Sequence, residues 1–394
     1  VQPLPPTHFQ ADLAEENSVT LRWQPQPDPL EPTADATHYL VYTRRGDGGF
    51  DNGVLVDKPH ITIGGLEPDV IYSYKVTAVN AGGESFPSET LAVCRVPQSR
   101  GTVLIVNGFD RVAPPAALEE GDMLGFAGFY DQGVPHRYDL NFTGAQFEFD
   151  ASSDWKDDDA PGHGASYGDY ETTVIAGNTF DFPYVHGLSV RAAGYSFVSA
   201  SDEAIMAGTA DPTRYPVLDL ILGEEKTTPW PKPTRAPQFE AWPDALRQAI
   251  RRFTANGGRL FVSGAYVGTD LLNGVTEDNP AAAFARQVLH LHWRTDHAAT
   301  TEGLIAVDTT LLQLPYTFNF NTTLGPTQYA VESPDAVEPA DSSAITILRY
   351  AENNISAAIA APSHQVIVFG FPFESITTRA NRDAVMRAVL RWFE

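Results

Sequence analysis

A single cysteine, Cys94, serves a chain of 394 residues. One thiol closes no internal disulfide and supplies no cysteine-based zinc site, and its place in a β-rich segment predicts a small buried hydrophobe. Positive charge is scarce too: 26 lysines and arginines face 50 acidic residues, for a formal charge of -24. Such a surface repels nucleic acid and anionic membranes, so no nucleic-acid partner is expected. The acidity reads as a solvated surface, with a saline habitat or cation binding as alternatives. Long apolar runs are missing, so no membrane span is expected. No methionine opens the chain; a start at Val1 fits a processed or excised piece, with further domains of a longer chain expected beside it.

Hydrophobic residues make up 43% and aromatics 11% of the chain, enough for folded cores. The length calls for two or three domains. Residues 18–23, 39–44, 60–63, 71–80 and 90–96 are short β-rich runs separated by turn residues, the spacing of a β-sandwich. Val19, Leu21 and Trp23 alternate with polar neighbours, as do Tyr72, Tyr74, Val76 and Ala78, which puts each set on one face of a strand. From Gly101 the pattern changes. Residues 102–107 form a continuous apolar run, which suits a strand buried on both faces of a parallel sheet. Further strands are expected at 193–200, 217–222, 259–263 and 365–369, and helices at 242–255 and 382–393. Strands alternating with helices predict an α/β domain with right-handed crossovers. Long polar and aromatic insertions at 131–178 and 227–237 are expected to be functional.

The opening Leu4-Pro5-Pro6, the strand ending in Trp23, Gly65-Leu66-Glu67-Pro68, the strand around Tyr72 and Tyr74, and the turn Asn80-Ala81-Gly82-Gly83-Glu84-Ser85 resemble a fibronectin type III domain. The resemblance implies a buried Trp, a tyrosine corner and a spacer or docking role. The expected architecture is therefore multidomain: a fibronectin type III β-sandwich over residues 1–98, then a three-layer α/β domain with a mostly parallel sheet and long insertions over 99–394.

Ligands of open parallel sheets bind beyond the carboxyl ends of the strands. That rule selects Asn107, Asp110 and Arg111 after the first strand, and Ser199, Ser201, Asp202 and Glu203 after the second. It also selects Ser263, Tyr266 and Asp270 after the strand at 259–263, and Glu374 after the last. Gly264-Ala265-Tyr266-Val267-Gly268 and Phe371-Pro372-Phe373-Glu374 resemble the two catalytic turns of the class I glutamine amidotransferase-like, flavodoxin-like superfamily. The family's elbow carries a nucleophile between small neighbours because it is strained. Tyr266 stands where its cysteine would be and Pro372 where its histidine would be, so Cys-dependent amide hydrolysis is not expected.

A second concentration of chemistry runs from Asp154 through Trp155, Asp157, Asp158, Asp159, His163 and Ser166, followed by Asn178, Asp181, Tyr184 and His186. Consecutive carboxylates are solvated, paired with cations or shifted in pKa. The segment could supply a metal site at Asp157 and Asp158, holding a divalent cation such as calcium. It could equally supply a Ser/His/Asp set or an acid/base pair, or be an ordered surface loop. These stretches, with Val106 to Arg111 and Val262 to Gly268, are similar to modules that follow fibronectin type III domains in secreted Bacteroidota proteins often labelled xanthan lyase or N-acetylmuramoyl-L-alanine amidase. The resemblance implies a secreted, periplasmic or cell-surface hydrolase acting on a glycan, peptidoglycan or related ester or amide. Asp159, His163, Ser166, His186, Ser263, Tyr266 and Glu374 are its candidate catalytic groups. Asn107, Asp110, Arg111, Trp155, Asn178, Asp181 and Tyr184 are the candidates for holding substrate. The competing expectation is a non-catalytic carbohydrate-binding or structural module.

Overall fold

The computed structural model describes all residues except 16, 136–147, 157–161, 164–175, 230–235 and 308. The first eight strands are β1 (Thr7–Ala14), β2 (Ser18–Gln24), β3 (His38–Arg45), β4 (Val54–Val56), β5 (His60–Ile63), β6 (Ile71–Asn80), β7 (Gly83–Glu84) and β8 (Leu91–Cys94). They make two antiparallel layers, β1-β2-β5 and β4-β3-β6-β8, with β7 continuing on β6. Along β2, Val19, Leu21 and Trp23 are buried while Arg22 and Gln24 face solvent, so a two-residue period becomes a sandwich core. The Trp23 ring meets Phe9 and Tyr39 edge-on, at centroid distances of 6.5 and 5.3 Å. Tyr72 Oη accepts the Glu67 amide at 3.2 Å, the contact of a tyrosine corner.

The rest of the chain continues with β9 (Thr102–Asn107), the hairpin β10 (Ala117–Glu120) and β11 (Met123–Phe126), α1 (Phe182–Ala192), β12 (Ser196–Ser201), α2 (Asp202–Met206), β13 (Val217–Gly223) and α3 (Asp244–Ala255). Then come β14 (Arg259–Gly264), α4 (Thr269–Leu272), α5 (Pro280–Gln287), β15 (Leu291–Thr295), β16 (Gly303–Ala306), α6 (Thr309–Leu312) and β17 (Thr317–Asn319). The last elements are β18 (Ala336–Pro339), β19 (Ile345–Tyr350), β20 (Ser356–Ala361), β21 (Val366–Phe369) and α7 (Arg379–Trp392).

Five strands pair in parallel in the order β12-β9-β13-β14-β21. Beyond β21 the sheet turns antiparallel through β20, β19, β16 and β17. The sheet is thus mixed: the five strands expected from the sequence form its parallel part, and the antiparallel extension was not expected. The small residues of β20, Ser-Ala-Ala-Ile-Ala-Ala, carry little strand signal. Strand β9 shows why the continuous apolar run was needed: Val103 and Ile105 point into one core with Val190 of α1 and Val385 of α7. Leu104 and Val106 point into the other, with Leu246, Ile250 and Phe253 of α3 and Phe284 of α5.

The sandwich is built onto this sheet. The outer edge of β12 pairs antiparallel with β1, matching Gln10 to Ala200 and Ala11 to Ser199, and also with β8, matching Cys94 to Phe197. Ser199 Oγ accepts the Ala92 amide at 2.9 Å and donates to its carbonyl at 2.7 Å. Ser196 Oγ accepts the Val96 amide at 2.9 Å. Cys94 is buried in this seam, where burial pushes its thiol up to about 12. Among the described residues, no helix is long and apolar enough to cross a membrane.

Candidate functional site

In the parallel set, the first strand, β9, lies between the second, β12, and the third, β13. The strand order therefore reverses at β9, and ligands of open α/β sheets bind beyond the carboxyl ends of the strands at such a switch point. Two loops are forced together there. Gly223 has φ +47, and a Cβ on it would lie 2.2 Å from the Phe109 ring, so only glycine fits. Glu225 then reaches across to accept the Asp110 and Arg111 amides at 2.8 and 2.7 Å.

Around this point lies a network of charged groups. The Arg111 guanidinium donates to Asp131 at 2.6 Å, and Lys226 Nζ lies 3.1 Å from the same carboxylate oxygen. Burial alone would raise Asp131, but Arg111 and Lys226 hold it below the usual carboxylate range. Tyr266 Oη donates to Glu332 at 2.8 Å, and Lys226 Nζ sits 4.6 Å from the Tyr266 ring centroid. Burial, with the Asp131 charge beside it, pushes Glu332 up to about 7. Burial and the facing Glu332 raise Glu224 well above its ordinary value. Glu224 Oε1 and Glu332 Oε2 have no hydrogen-bond partner, and burial among other acidic groups favours the protonated form of each carboxyl group.

The turn carrying Tyr266 differs from the elbow expected of it. Tyr266 is not among the described non-glycine residues with positive φ, so its backbone lacks the strain of a nucleophile elbow. The flanking glycines answer to packing instead. A Cβ at Gly264 would meet the Leu222 side chain at 2.9 Å, and one at Gly268 would meet Trp293 at 2.8 Å. Asp335 fastens the turn by accepting the Gly268 and Thr269 amides at 2.7 and 2.8 Å.

His186 and Glu374 do come together, in the buried interior. His186 Nδ1 is 2.8 Å from Asp219 and its Nε2 is 3.1 Å from Glu374, whose other oxygen accepts the Tyr329 hydroxyl at 2.7 Å. Burial works against a charge on His186, but Asp219 and Glu374 overcome it and raise the imidazole to about 9. Both ring nitrogens are occupied by carboxylates and the ring is fully buried. Tyr329 packs on Phe109 and Phe182, linking this buried chain to the turn after β9.

The other candidates are dispersed. Asn178 pins the loop after β9 by donating to the Phe109 carbonyl at 2.8 Å, and Asn107 donates to Glu89 of the sandwich at 2.5 Å. Asp181 pairs with Arg44 at 2.9 Å, and that guanidinium lies over the Tyr184 ring at 4.8 Å. Both therefore serve the joint with the sandwich. His163 sits edge-on to Trp155 and 3.2 Å from the Leu124 carbonyl, beside the β10–β11 hairpin. Ser263 is buried without a hydrogen-bond partner. Asp157, Asp158, Asp159 and Ser166 lie outside the described residues. Asp110 meets Asp202 and Glu203, and ligand atoms of the three lie within 4.8 Å of one another, close enough to hold a metal ion.

Several groups of the network escaped the reading of the sequence. Glu224, Glu225 and Lys226 follow β13 directly, so the strand-end rule reaches them when it is applied to that strand. Asp131 and Glu332 arrive from distant loops and carry no local signal.

Comparison with known proteins bears on the sandwich. The fibronectin type III domain family matches residues 4–93. The chain is 29% identical over 170 residues to the cell adhesion molecule Dscam2 of Drosophila melanogaster, covering 38% of this chain and 8% of that protein. It thus spans less than a tenth of this curated relative. Similar solved structures include the twitchin kinase region from C. elegans, at 24% identity and a TM-score of 0.22, covering 24% of this chain and 17% of that one. The FN5 domain of Drosophila Lar matches at 22% identity and a TM-score of 0.20, covering 24% of this chain and 98% of that one. These findings give no support to the amidotransferase-like reading or to the Bacteroidota labels. Strand pairing, buried Trp23, the Tyr72 corner and the family match agree on one conclusion: residues 4–93 are a fibronectin type III domain.

Proposed function

We propose that the protein is a secreted or cell-surface hydrolase acting on a glycan, peptidoglycan or related ester or amide, with its site at the β9/β13 switch point. The observation that carries this reading is the Glu224–Glu332 pair, hydrogen-bonded to Tyr266 and flanked by Lys226 and Arg111. Hydrolysis needs one group to protonate the leaving atom and another to take a proton from the attacking water. In this reading the two raised carboxyl groups hold one proton between them and so supply one of each. In this scheme the protonated partner donates to the leaving oxygen or nitrogen while the ionised one accepts the water proton. The Lys226 and Arg111 cations offset negative charge that develops on the substrate.

The strand order β12-β9-β13-β14-β21 and the apolar clusters on both faces of the sheet support a three-layer, flavodoxin-like α/β description of this part. The fibronectin type III domain and the similarity to an adhesion molecule support an extracellular or surface setting. The rival reading is a non-catalytic carbohydrate-binding or structural module. It is favoured by the way the outer edge of β12 is fastened to two strands of the sandwich.

Chromogenic glycosides, muropeptides and aryl esters decide between them. Glu332→Gln should lower turnover by about 100-fold or more with an unchanged thermal midpoint. It should also remove the limb of the pH profile that falls as pH rises through about 7. A parent protein silent on the whole panel, yet retarded in glycan-affinity gels, would establish the binding module instead.

A further inference from the structure

Outside the Tyr266 network, at the seam between the sandwich and the rest of the chain, carboxylates gather without cations. Asp110 follows β9, Asp202 and Glu203 open α2 after β12, and ligand atoms of these three lie within 4.8 Å of one another. Glu89, from the loop before β8 of the sandwich, is tied to the end of β9 by its hydrogen bond with Asn107. No salt bridge joins any of these four to a lysine, arginine or histidine among the described residues.

Acidic crowding alone does not make a site. Here two buried oxygens without partners add to it. Asn107 is fully buried at the end of β9, paired in register with Ser201, the residue before Asp202. Its Nδ2 donates to Glu89 at 2.5 Å, while its Oδ1 has no partner. An amide oxygen buried without a donor is costly, and a cation beside it would remove the cost. Asp202, only 7% exposed, likewise leaves Oδ1 without a partner.

We propose that Asp110, Asp202 and Glu203, with the Asn107 amide oxygen and Glu89 of the sandwich, form a calcium site that clamps the fibronectin type III domain to the second domain. Calcium takes 6–8 hard oxygen ligands at about 2.3–2.6 Å in irregular geometry, so opposite ligands on one ion lie about 4.6–5.2 Å apart, which the observed spacing suits. Magnesium demands a near-ideal octahedron, which five groups from three separate segments are less suited to give. Thiolate and imidazole are absent from the set, which argues against zinc.

The full chain, stripped with chelator, is titrated with calcium chloride and followed by calorimetry and thermal unfolding. The expected result is saturable binding with a rise in the thermal midpoint, and a smaller rise with magnesium chloride. Asp202→Asn and Glu203→Gln should each weaken calcium binding by about tenfold or more. Because they relieve repulsion, their calcium-free forms should unfold no earlier than the parent. Glu89→Gln, on the sandwich side, should weaken binding several-fold. If the parent shows neither heat nor a midpoint shift up to millimolar calcium, the site does not exist. Calcium binding that survives all three substitutions, and disappears instead when Asp157, Asp158 and Asp159 are changed to Asn, would move it to that loop and overturn the assignment.

Discussion

At the scale of single residues, His186 shows how burial changes what a side chain is for. The sequence offers it as a candidate catalytic group, but the fold closes it between Asp219 and Glu374, each within hydrogen-bonding distance of one ring nitrogen. A histidine whose folded pKa is raised to about 9, from about 6.5 when unfolded, stabilises the fold fully below pH 6.5. That contribution, about 3 kcal/mol by linkage, is lost as pH rises through about 9. Urea unfolding across pH 6 to 10 should show the parent losing stability over that window. His186→Ala leaves two buried carboxylates facing each other and should cost about 3–5 kcal/mol, with a flatter pH dependence. A His186→Ala variant as stable as the parent at pH 6 would mean that the ring carries no charge in the fold.

Secondary-structure elements and their junctions set where chemistry can gather. The turn after β13 depends on Gly223, which combines a left-handed backbone with a Cβ position occupied by Phe109. Gly223→Ala should therefore destabilise the fold by about 2–4 kcal/mol and reduce any activity of the switch-point groups with it, as measured by chemical denaturation and turnover on the same sample. Much at this scale was legible beforehand. The run at 102–107 reads as a doubly buried strand because each face of β9 needs apolar side chains, and Asp110, Arg111, Tyr266 and Glu374 stand out as polar groups just past strand ends. What could not be read is long-range convergence. Glu332 meets Tyr266 across 66 residues of chain, and Asp131 meets Lys226 across 95, with no pattern near either to announce it. The antiparallel strands beyond β21 were missed because their residues alternate weakly, and the docking of the sandwich onto β12 was missed because an edge strand looks the same in sequence whether or not it is covered.

The whole molecule departs from the picture of a sandwich swinging on a linker. Strands β1 and β8 both hydrogen-bond to β12, so a single sheet runs from one domain into the other. Calorimetry of the full chain should accordingly give one cooperative transition, not two. Two resolved transitions would show that the shared edge contributes little. Removing the two Ser199 hydrogen bonds with Ala92 by Ser199→Ala should lower the midpoint of that joint transition, at a cost of about 1–3 kcal/mol.

The shared sheet also bears on tension. Strand β12 ends at Ser201, the residue immediately before Asp202 and Glu203, and its outer edge is fastened to the sandwich by the Gln10–Ala200 and Ala11–Ser199 pairs. A pull on the sandwich therefore has no slack tether to stretch first. It is transmitted along backbone hydrogen bonds straight to the acidic turn, so a load applied at the first domain is felt at the carboxylates of the second.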